Sequence, residues 1–107
     1  MKQNKILSLL GLAMRGRNLV SGEFQTIDAV KSGKAMLVII AEDASQNTKK
    51  LFTNKCTYYE VPVYEYGTKE ELGRAIGKDE RSSVGVCDMG LADAIIGQLD
   101  NDKEPKR

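Results

Sequence analysis

The uninterrupted apolar run Met-Leu-Val-Ile-Ile-Ala at residues 36–41 constrains the fold more than any other part of the chain. It is far shorter than the roughly 20 apolar residues of a membrane span, and its branched side chains favour a strand. A strand without polar residues on either face is typical of the centre of a sheet that is covered on both sides. We therefore expect a sheet with helices packed above and below it.

Segments with helical periodicity alternate with short apolar runs along the rest of the chain. Ile6, Leu9, Leu10 and Ala13 recur at the spacing of one helix face, and Gly16 is placed to end that helix. Further short strands are expected at residues 19–20, 61–64 and 84–87, and further helices at residues 21–33, about 47–56, 68–77 and after residue 88. This alternation predicts the α/β class and a three-layer α/β/α sandwich.

Local signals indicate where individual helices begin. Thr68 and Glu71 have the spacing of a capping box, in which the threonine accepts from one backbone amide and the glutamate reaches back to another. Asp43 and Ser45 are both suitable caps for the helix that follows the central strand. Asp88 can cap the last helix in the same way.

The pattern contains no internal repeat and no linker. Residues 1–100 are therefore expected to form one domain, followed by a polar tail at residues 101–107 that includes Pro105. The N-terminus lacks the apolar core of a secretory signal, and no stretch is long enough to cross a membrane. We expect a monomeric cytoplasmic protein that does not contact membranes.

The residue types present argue against catalysis and against a metal centre. The chain has no histidine, its cysteines are Cys56 and Cys87, and it contains no phosphate-binding glycine loop or nucleophile motif. Its paired carboxylates lie near helix starts, where the helix dipole favours them, or in a polar loop. We therefore expect no enzymatic activity, no cofactor and no metal ion.

Three junctions at which a loop enters a helix, at residues 21–25, 42–45 and 67–69, offer a binding surface instead. In alternating α/β chains the loops that leave the carboxyl ends of parallel strands lie at one edge of the sheet. If the junctions share that edge, helix amides and the Lys69 ammonium converge where phosphate can bind. The plainer interpretation is that they are ordinary capped helix starts. The net charge of +1 leaves both open, although residues 1–22 carry basic and no acidic side chains.

Five longer sequence segments are more specific for a protein family than these single signals. They are Leu-Gly-Leu-Ala-Met-Arg at residues 10–15, Ser-Gly-Glu at 21–23, the run at 37–50, Val-Pro-Val at 61–63 and Glu-Leu-Gly-Arg-Ala-Ile-Gly-Lys at 71–78. In this order they resemble the bacterial, YlxQ-type branch of the kink-turn-binding ribosomal protein family, whose archaeal member is L-seven-Ae. The resemblance implies a sandwich around a small mixed sheet. It also implies binding to kink-turns, which are sharply bent duplex RNAs with tandem sheared G·A pairs.

In that family the loop and first turn of the second helix enter the bend of the RNA, through the pattern Gly-x-Asn-Glu-x-x-Lys. Here the pattern falls on Gly22, Phe24, Gln25 and Asp28, so that only the glycine matches. Gln25 can still donate or accept hydrogen bonds. Phe24 can stack on an unpaired base or belong to the core, and Asp28 places a negative charge where the family has a positive one.

Other positions agree with the family more closely. Lys69 and Arg74 align with basic positions, and the loop at residues 78–83 takes the place of the loop that packs on extruded bases. The residues expected to contact RNA are Gly22, Glu23, Phe24, Gln25, Ser45, Lys69, Arg74, Arg81, Ser82, Arg15 and Arg17. With these departures and matches, two functions stay open. One is recognition of a kink-turn or related bent RNA, ribosomal or regulatory; the other is an accessory module that contacts ribosomal or transcription-related proteins through a degenerate RNA face.

Overall fold

Five helices surround a four-stranded sheet in the computed structural model, which describes residues 4–103. The elements are α1 (Lys5–Arg15), β1 (Leu19–Ser21), α2 (Glu23–Lys31), β2 (Leu37–Ile40), α3 (Gln46–Tyr59), β3 (Val63–Glu65), α4 (Lys69–Ala75), β4 (Ser83–Val86) and α5 (Met89–Lys103). The predicted α/β class is confirmed.

The sheet is mixed and its strands follow the order β1-β4-β2-β3. β2 pairs parallel with β3 and antiparallel with β4, and β1 pairs antiparallel with β4. All four residues of β2 and all four of β4 are buried, which confirms that the apolar run forms a central strand. Pro62 immediately precedes β3, an edge strand, where a residue without an amide proton is tolerated.

Helices cover both faces of the sheet, so the predicted sandwich is confirmed. α1 packs against α4 and α5, whereas α2 packs against α3. The largest fully buried side chains, which fill the space between these layers and the sheet, include Leu10, Leu37, Ile39, Phe52, Leu72, Ile95 and Leu99. Within the described residues, no helix is long and apolar enough to cross a membrane.

Side-chain caps begin most of the helices where the sequence predicts. The Thr68–Glu71 capping box forms at the start of α4, and the Asp88 carboxylate accepts from the Leu91 amide at 2.9 Å at the start of α5. Of the two candidates for α3, Ser45 is the cap, because its hydroxyl accepts from the Thr48 amide at 3.1 Å.

Two details differ from the sequence prediction. α2 buries Thr26, Ala29 and Val30, whereas Phe24, for which the core was one of two expected places, is exposed. α5 continues through Lys103, so the first part of the predicted tail is the last turn of a helix. No glycine or proline interrupts the chain between Gly97 and residue 105, and the polar side chains there are compatible with a helix. Residues 104–107 lie outside the described part of the chain.

Candidate nucleic-acid interface

The three predicted junctions meet at one edge of the sheet, where β1, β2 and β3 end and β4 begins. The Gly22 amide donates to the Ser83 carbonyl at 3.0 Å, and the Glu42 amide donates to the Gly67 carbonyl at 2.7 Å. The Ala41 amide donates to the Ser82 carbonyl at 2.9 Å. These backbone bonds tie the junctions into one surface, called the cleft edge below.

A shallow depression, called the cleft below, opens at this edge between the start of α2 and the loop before β4. Its lining residues are Ser21, Gly22, Glu23, Phe24, Gln25, Glu80, Arg81 and Ser82. All but two of these, Ser21 and Glu80, are among the residues that the sequence nominates for RNA contact. The structure therefore brings six of those nominated residues together.

Gly22 gives the cleft an open helix terminus. Its φ of 89° lies in the left-handed region, and its ψ of 155° is extended, a combination that favours glycine strongly. As the N-cap of α2 it has no side chain to bind the first amides of the helix. Among the five described helices, α2 is the one whose first turn has no side-chain cap. Its amides are therefore available to a ligand.

Arg81 holds the two walls of the cleft together. Its Nε donates to the Ser21 hydroxyl at 3.1 Å, and its Nη1 donates to the Asp79 and Glu80 carbonyls at 3.3 and 3.0 Å. The guanidinium is thus occupied by its own protein. In this structure Arg81 shapes the loop rather than presenting a free cation.

Gly73 supports the same loop from below, a role that local sequence patterns do not indicate. A Cβ atom at this position would lie 2.0 Å from the Asp79 carbonyl oxygen. The Lys78 amide also donates to the Gly73 carbonyl at 2.8 Å. The backbone of the loop therefore rests on α4 at a point where no side chain fits, a signal that one sequence alone does not reveal.

Phe24 and Gln25 stand at the rim of the cleft, free of the core. Phe24 is 84% exposed, although a phenylalanine usually gains stability from burial. Gln25 and Asp28 are exposed as well. Of the two roles left open for Phe24, the core role is therefore wrong, and an aromatic ring is displayed beside an open helix terminus.

Lys69 and Ser45 lie at the cleft edge but outside the cleft. The Lys69 amide donates to the Asp43 carboxylate at 2.8 Å, so that Asp43 caps α4 rather than α3. The Lys69 side chain is half-buried, whereas Ser45 is exposed at the start of α3. Both are within the same surface as the three junctions.

Arg74 lies in a different depression, between α1 and α4. Its lining residues are Asn4, Leu7, Ser8, Glu71, Arg74 and Ala75. The Arg74 guanidinium pairs with the Glu70 carboxylate at 2.7 Å, one helix turn away, and both side chains are largely exposed. The Arg74 guanidinium is therefore accessible to solvent, but it already pairs with a carboxylate on its own helix.

Arg15 and Arg17 lie at the opposite edge of the sheet. Arg15 ends α1, and Arg17 lies in the turn that leads to β1, where Leu19 pairs with Val86 at the end of β4. The length of β4 separates this end from the cleft edge. The structure therefore does not place these two arginines in the surface that Gly22 and Gln25 form.

The cleft itself is not basic. Its charged lining residues are Glu23, Glu80 and Arg81, and Arg81 is engaged in internal hydrogen bonds. A ligand here meets helix amides, a carboxamide and an aromatic ring rather than a field of cations. Within residues 4–103, no group of three or more cysteine, aspartate or glutamate side chains is placed to hold a metal ion.

The chain is similar over most of its length to proteins of known family. Residues 4–96 match the model of the ribosomal protein L7Ae/L30e/S12e/Gadd45 family. The RNA-binding protein YlxQ of Bacillus subtilis is 48% identical over 92 residues, which cover 86% of this chain and 92% of that protein. The large ribosomal subunit protein eL30 of Sulfurisphaera tokodaii is 38% identical over 85 residues, which cover 78% and 80% of the two chains.

Solved structures agree with this assignment. A protein of unknown function from Bacillus halodurans superposes with a TM-score of 0.89 at 46% identity, covering 92% of this chain and 99% of that one. A 15.5 kD RNA-binding protein of Giardia lamblia, at 23% identity, shares the fold with a TM-score of 0.79 and covers 94% and 92% of the two chains. This chain therefore belongs to the ribosomal protein L7Ae/L30e/S12e/Gadd45 family.

Proposed function

We propose that this protein binds structured RNA without catalysing a reaction on it, and that the cleft receives a kink-turn or a related sharply bent segment. The observation that carries the proposal is the uncapped start of α2, which opens into the cleft beside an exposed aromatic ring. Support also comes from the Bacillus subtilis relative, whose name describes it as RNA-binding.

The open amides of α2 supply the first contact. A helix start without a cap presents unsatisfied N–H groups and the positive end of the helix dipole. Phosphate and base carbonyl oxygens are the acceptors that RNA offers to such groups. Gly22 matters here because any side chain at its position would both strain the backbone and obstruct the approach of the RNA.

Phe24 and Gln25 supply the second contact. Unpaired bases stack on aromatic rings in single-stranded loops and bends, and such stacking contributes about 1–3 kcal/mol per base. The Gln25 carboxamide can donate to one base edge and accept from another. The asparagine and glutamate of the family pattern are thereby replaced by stacking and by a neutral hydrogen-bonding group.

A bent RNA fits this surface better than a straight duplex. The deep groove of A-form RNA admits few side chains, so that bases are recognised where they are unstacked or exposed. The cleft lacks free cations at its centre, and we expect Lys69 at the same edge to contact a neighbouring phosphate. The similarity to eL30 proteins of the large ribosomal subunit supports ribosomal RNA as one source of such a segment.

The test is a binding titration with a kink-turn duplex and a length-matched duplex that lacks the bulge and the G·A pairs. We expect the kink-turn to bind at least about tenfold more tightly, which corresponds to 1.4 kcal/mol. Phe24→Ala should reduce this preference, whereas Tyr58→Ala removes a similarly exposed aromatic ring at the far end of α3 and should not. Equal affinity of the wild type for both RNAs would overturn the proposal.

A second function, contact with ribosomal or transcription-related proteins, is favoured by the acidic character of the cleft. Glu23 and Glu80 line it, and Asp28 is exposed on the same helix. A triple variant with Phe24→Asn, Gln25→Glu and Asp28→Lys restores the family pattern, and we expect it to bind a kink-turn more tightly although the stacking ring is lost. Pull-downs from cells before and after RNase treatment complete the test, since protein partners that persist without RNA would favour the second function.

A further inference from the structure

A group of four basic side chains lies at the edge of the sheet opposite the cleft, where β1 and β2 begin and β4 ends. Arg15 ends α1, Arg17 lies in the following turn, Lys31 ends α2, and Lys34 lies in the loop before β2. All four are exposed. This group is called the basic edge below.

Backbone contacts hold these segments next to one another. The Cys87 amide donates to the Asn18 carbonyl at 2.8 Å, and the Met36 amide donates to the Val86 carbonyl at 2.7 Å. Partial burial raises the pKa of the Cys87 thiol, and the positive charge of Lys34 opposes that rise. The turn that carries Arg17 and the loop that carries Lys34 thus flank the end of β4.

The cations of the basic edge are not neutralised by their neighbours. Within the described residues, two ion pairs form, Lys49–Glu65 and Arg74–Glu70, and neither involves the basic edge. The exposed Asp28 lies one helix turn before Lys31 without forming an ion pair, and the Asp88 carboxylate, just after β4, caps α5. A concentration of unpaired positive charge in a chain whose net charge is only +1 creates a local attraction for polyanions.

Helix dipoles account for part of this charge but not for all of it. Arg15 and Lys31 are in the last turns of α1 and α2, where a cation stabilises the negative end of the helix dipole. Arg17 and Lys34 lie outside any helix. Helix dipoles therefore do not account for these two charges.

Arg17 has a left-handed backbone conformation, which is unusual for an arginine. After α1, the Asn18 amide donates to the Ala13 carbonyl at 2.8 Å and the Arg17 amide to the Met14 carbonyl at 3.1 Å, the bonding pattern of a Schellman motif. Arg17 occupies the left-handed position of that motif, with a φ of 62°. Glycine is preferred there, yet Gly16 stands one residue earlier with an ordinary φ of −87°. The chain keeps a long cation at a position where its side chain costs stability.

We propose that the basic edge is a second RNA-binding surface, which holds the phosphate backbone of a double-stranded segment while the cleft is free or occupied by another. One copy of the protein then joins two RNA segments. Arg17 and Lys34 are the principal phosphate contacts, because the fold itself does not require their charge. The inference shares with the proposed function only the class of partner, and it does not depend on the cleft binding a kink-turn.

The first experiment uses an unkinked RNA duplex and a double variant, Arg17→Gly with Lys34→Ala. We expect the affinity of the double variant for the duplex to fall several-fold. The slope of log affinity against log salt concentration should become shallower by about 1.5 to 2, because two phosphate contacts are lost. The matched control is Lys5→Ala with Lys50→Ala, which removes the same charge from two exposed lysines nearer the cleft edge. An equal loss in the control, or no loss in the double variant, would contradict the proposal.

The second experiment asks whether both surfaces work at once. Protein saturated with an unlabelled minimal kink-turn should still bind a labelled unkinked duplex, and the Arg17–Lys34 double variant should lose that second binding. Phe24→Ala should lower affinity for the kink-turn and leave the labelled duplex bound. Complete displacement of the duplex by the kink-turn would overturn the second surface. Conversely, duplex binding at the basic edge without any kink-turn preference would refute the cleft proposal alone.

Discussion

The cleft edge and the basic edge lie at opposite ends of the same short strands, yet they are built from opposite ends of helices. At the cleft edge α2, α3 and α4 begin, and backbone hydrogen bonds join their loops. At the basic edge α1, α2 and α3 end, and exposed cations follow two of them. The cleft edge therefore presents backbone N–H groups of helix starts, and the basic edge presents positively charged side chains.

This difference follows from the direction of the chain. Helix starts favour acids and helix ends favour bases, so that Glu23 at the start of α2 and Lys31 at its end each suit the local dipole. A search for the most basic surface alone would lead away from the cleft. Recognition of RNA shape and attraction to RNA charge can therefore be located at separate places on one small protein. Substitutions that damage one edge and leave the other intact test each role separately.

The largest effect is expected from Gly73→Ala, which should damage the cleft edge and spare the basic edge. The new Cβ would lie 2.0 Å from the Asp79 carbonyl oxygen, so that the loop must move or the protein loses about 3 kcal/mol of stability. Gly97→Ala is the control, because nothing lies within 4 Å of its Cβ, and it should add about 0.5–1 kcal/mol. Denaturant unfolding measures both, and a Gly73→Ala protein as stable as wild type with unchanged kink-turn affinity would show that the loop contact is unimportant.

Arg81→Ala should have the next largest effect. It removes the hydrogen bonds from the guanidinium to Ser21 and to the carbonyls of Asp79 and Glu80, and we expect a loss of about 1–2 kcal/mol of stability. Kink-turn affinity should fall while affinity for an unkinked duplex stays unchanged. Arg81→Lys keeps the charge but not the forked geometry, and it should behave like the alanine variant. Retention of kink-turn binding by the lysine variant would mean that charge, not loop geometry, is what Arg81 contributes.

A smaller effect, of the opposite sign, is expected at the basic edge. Arg17→Gly relieves the left-handed backbone, and after the entropy that glycine loses on folding we expect a net gain of about 0.5 kcal/mol. Glu60→Gly is a matched control, since Glu60 has nearly the same φ of 60° and ends α3. Both variants should unfold at slightly higher temperature, but only Arg17→Gly should weaken duplex binding. Unchanged duplex affinity in Arg17→Gly would remove the reason for keeping arginine there.

The smallest effect is expected between the two edges, where α2 packs on β4. The Thr26 hydroxyl is buried, and it has no hydrogen-bond partner among the described residues. Thr26→Val keeps the shape and removes the unsatisfied group, so that stability should stay the same or rise by less than about 0.5 kcal/mol. Thermal unfolding checks this, and neither type of RNA binding should change. A clear loss of stability would indicate that the hydroxyl is satisfied in solution.

Features that depend on neighbouring residues in the chain were predicted well from sequence. The Thr68 capping box and the Asp88 cap each involve residues within three positions, and both form. The unbroken apolar run at residues 36–41 indicated a central strand, because burial on both faces leaves no polar position. Such local rules also placed the three junctions at a common edge once the alternating order of elements was known.

Features that depend on contacts distant in sequence were not predicted. Asp43 caps α4 through the Lys69 amide, 26 residues away, whereas local spacing favoured α3. Phe24 occupies an apolar position of α2, but the packing of Thr26 against the sheet decides which face is buried. The role of Gly73 depends on the path of a loop that periodicity does not describe. Only the assembled fold shows these three arrangements.

β4 connects the two edges, because Ser83 at its start lies at the cleft edge and Val86 at its end lies at the basic edge. Its four residues are all buried and bonded on both sides, to β1 and to β2. A strand of this length spans about 13 Å and cannot stretch without losing those bonds. If two RNA segments bind at the two edges, as we propose, the length of this strand sets the distance between them, and lengthening the surface loops would not change it.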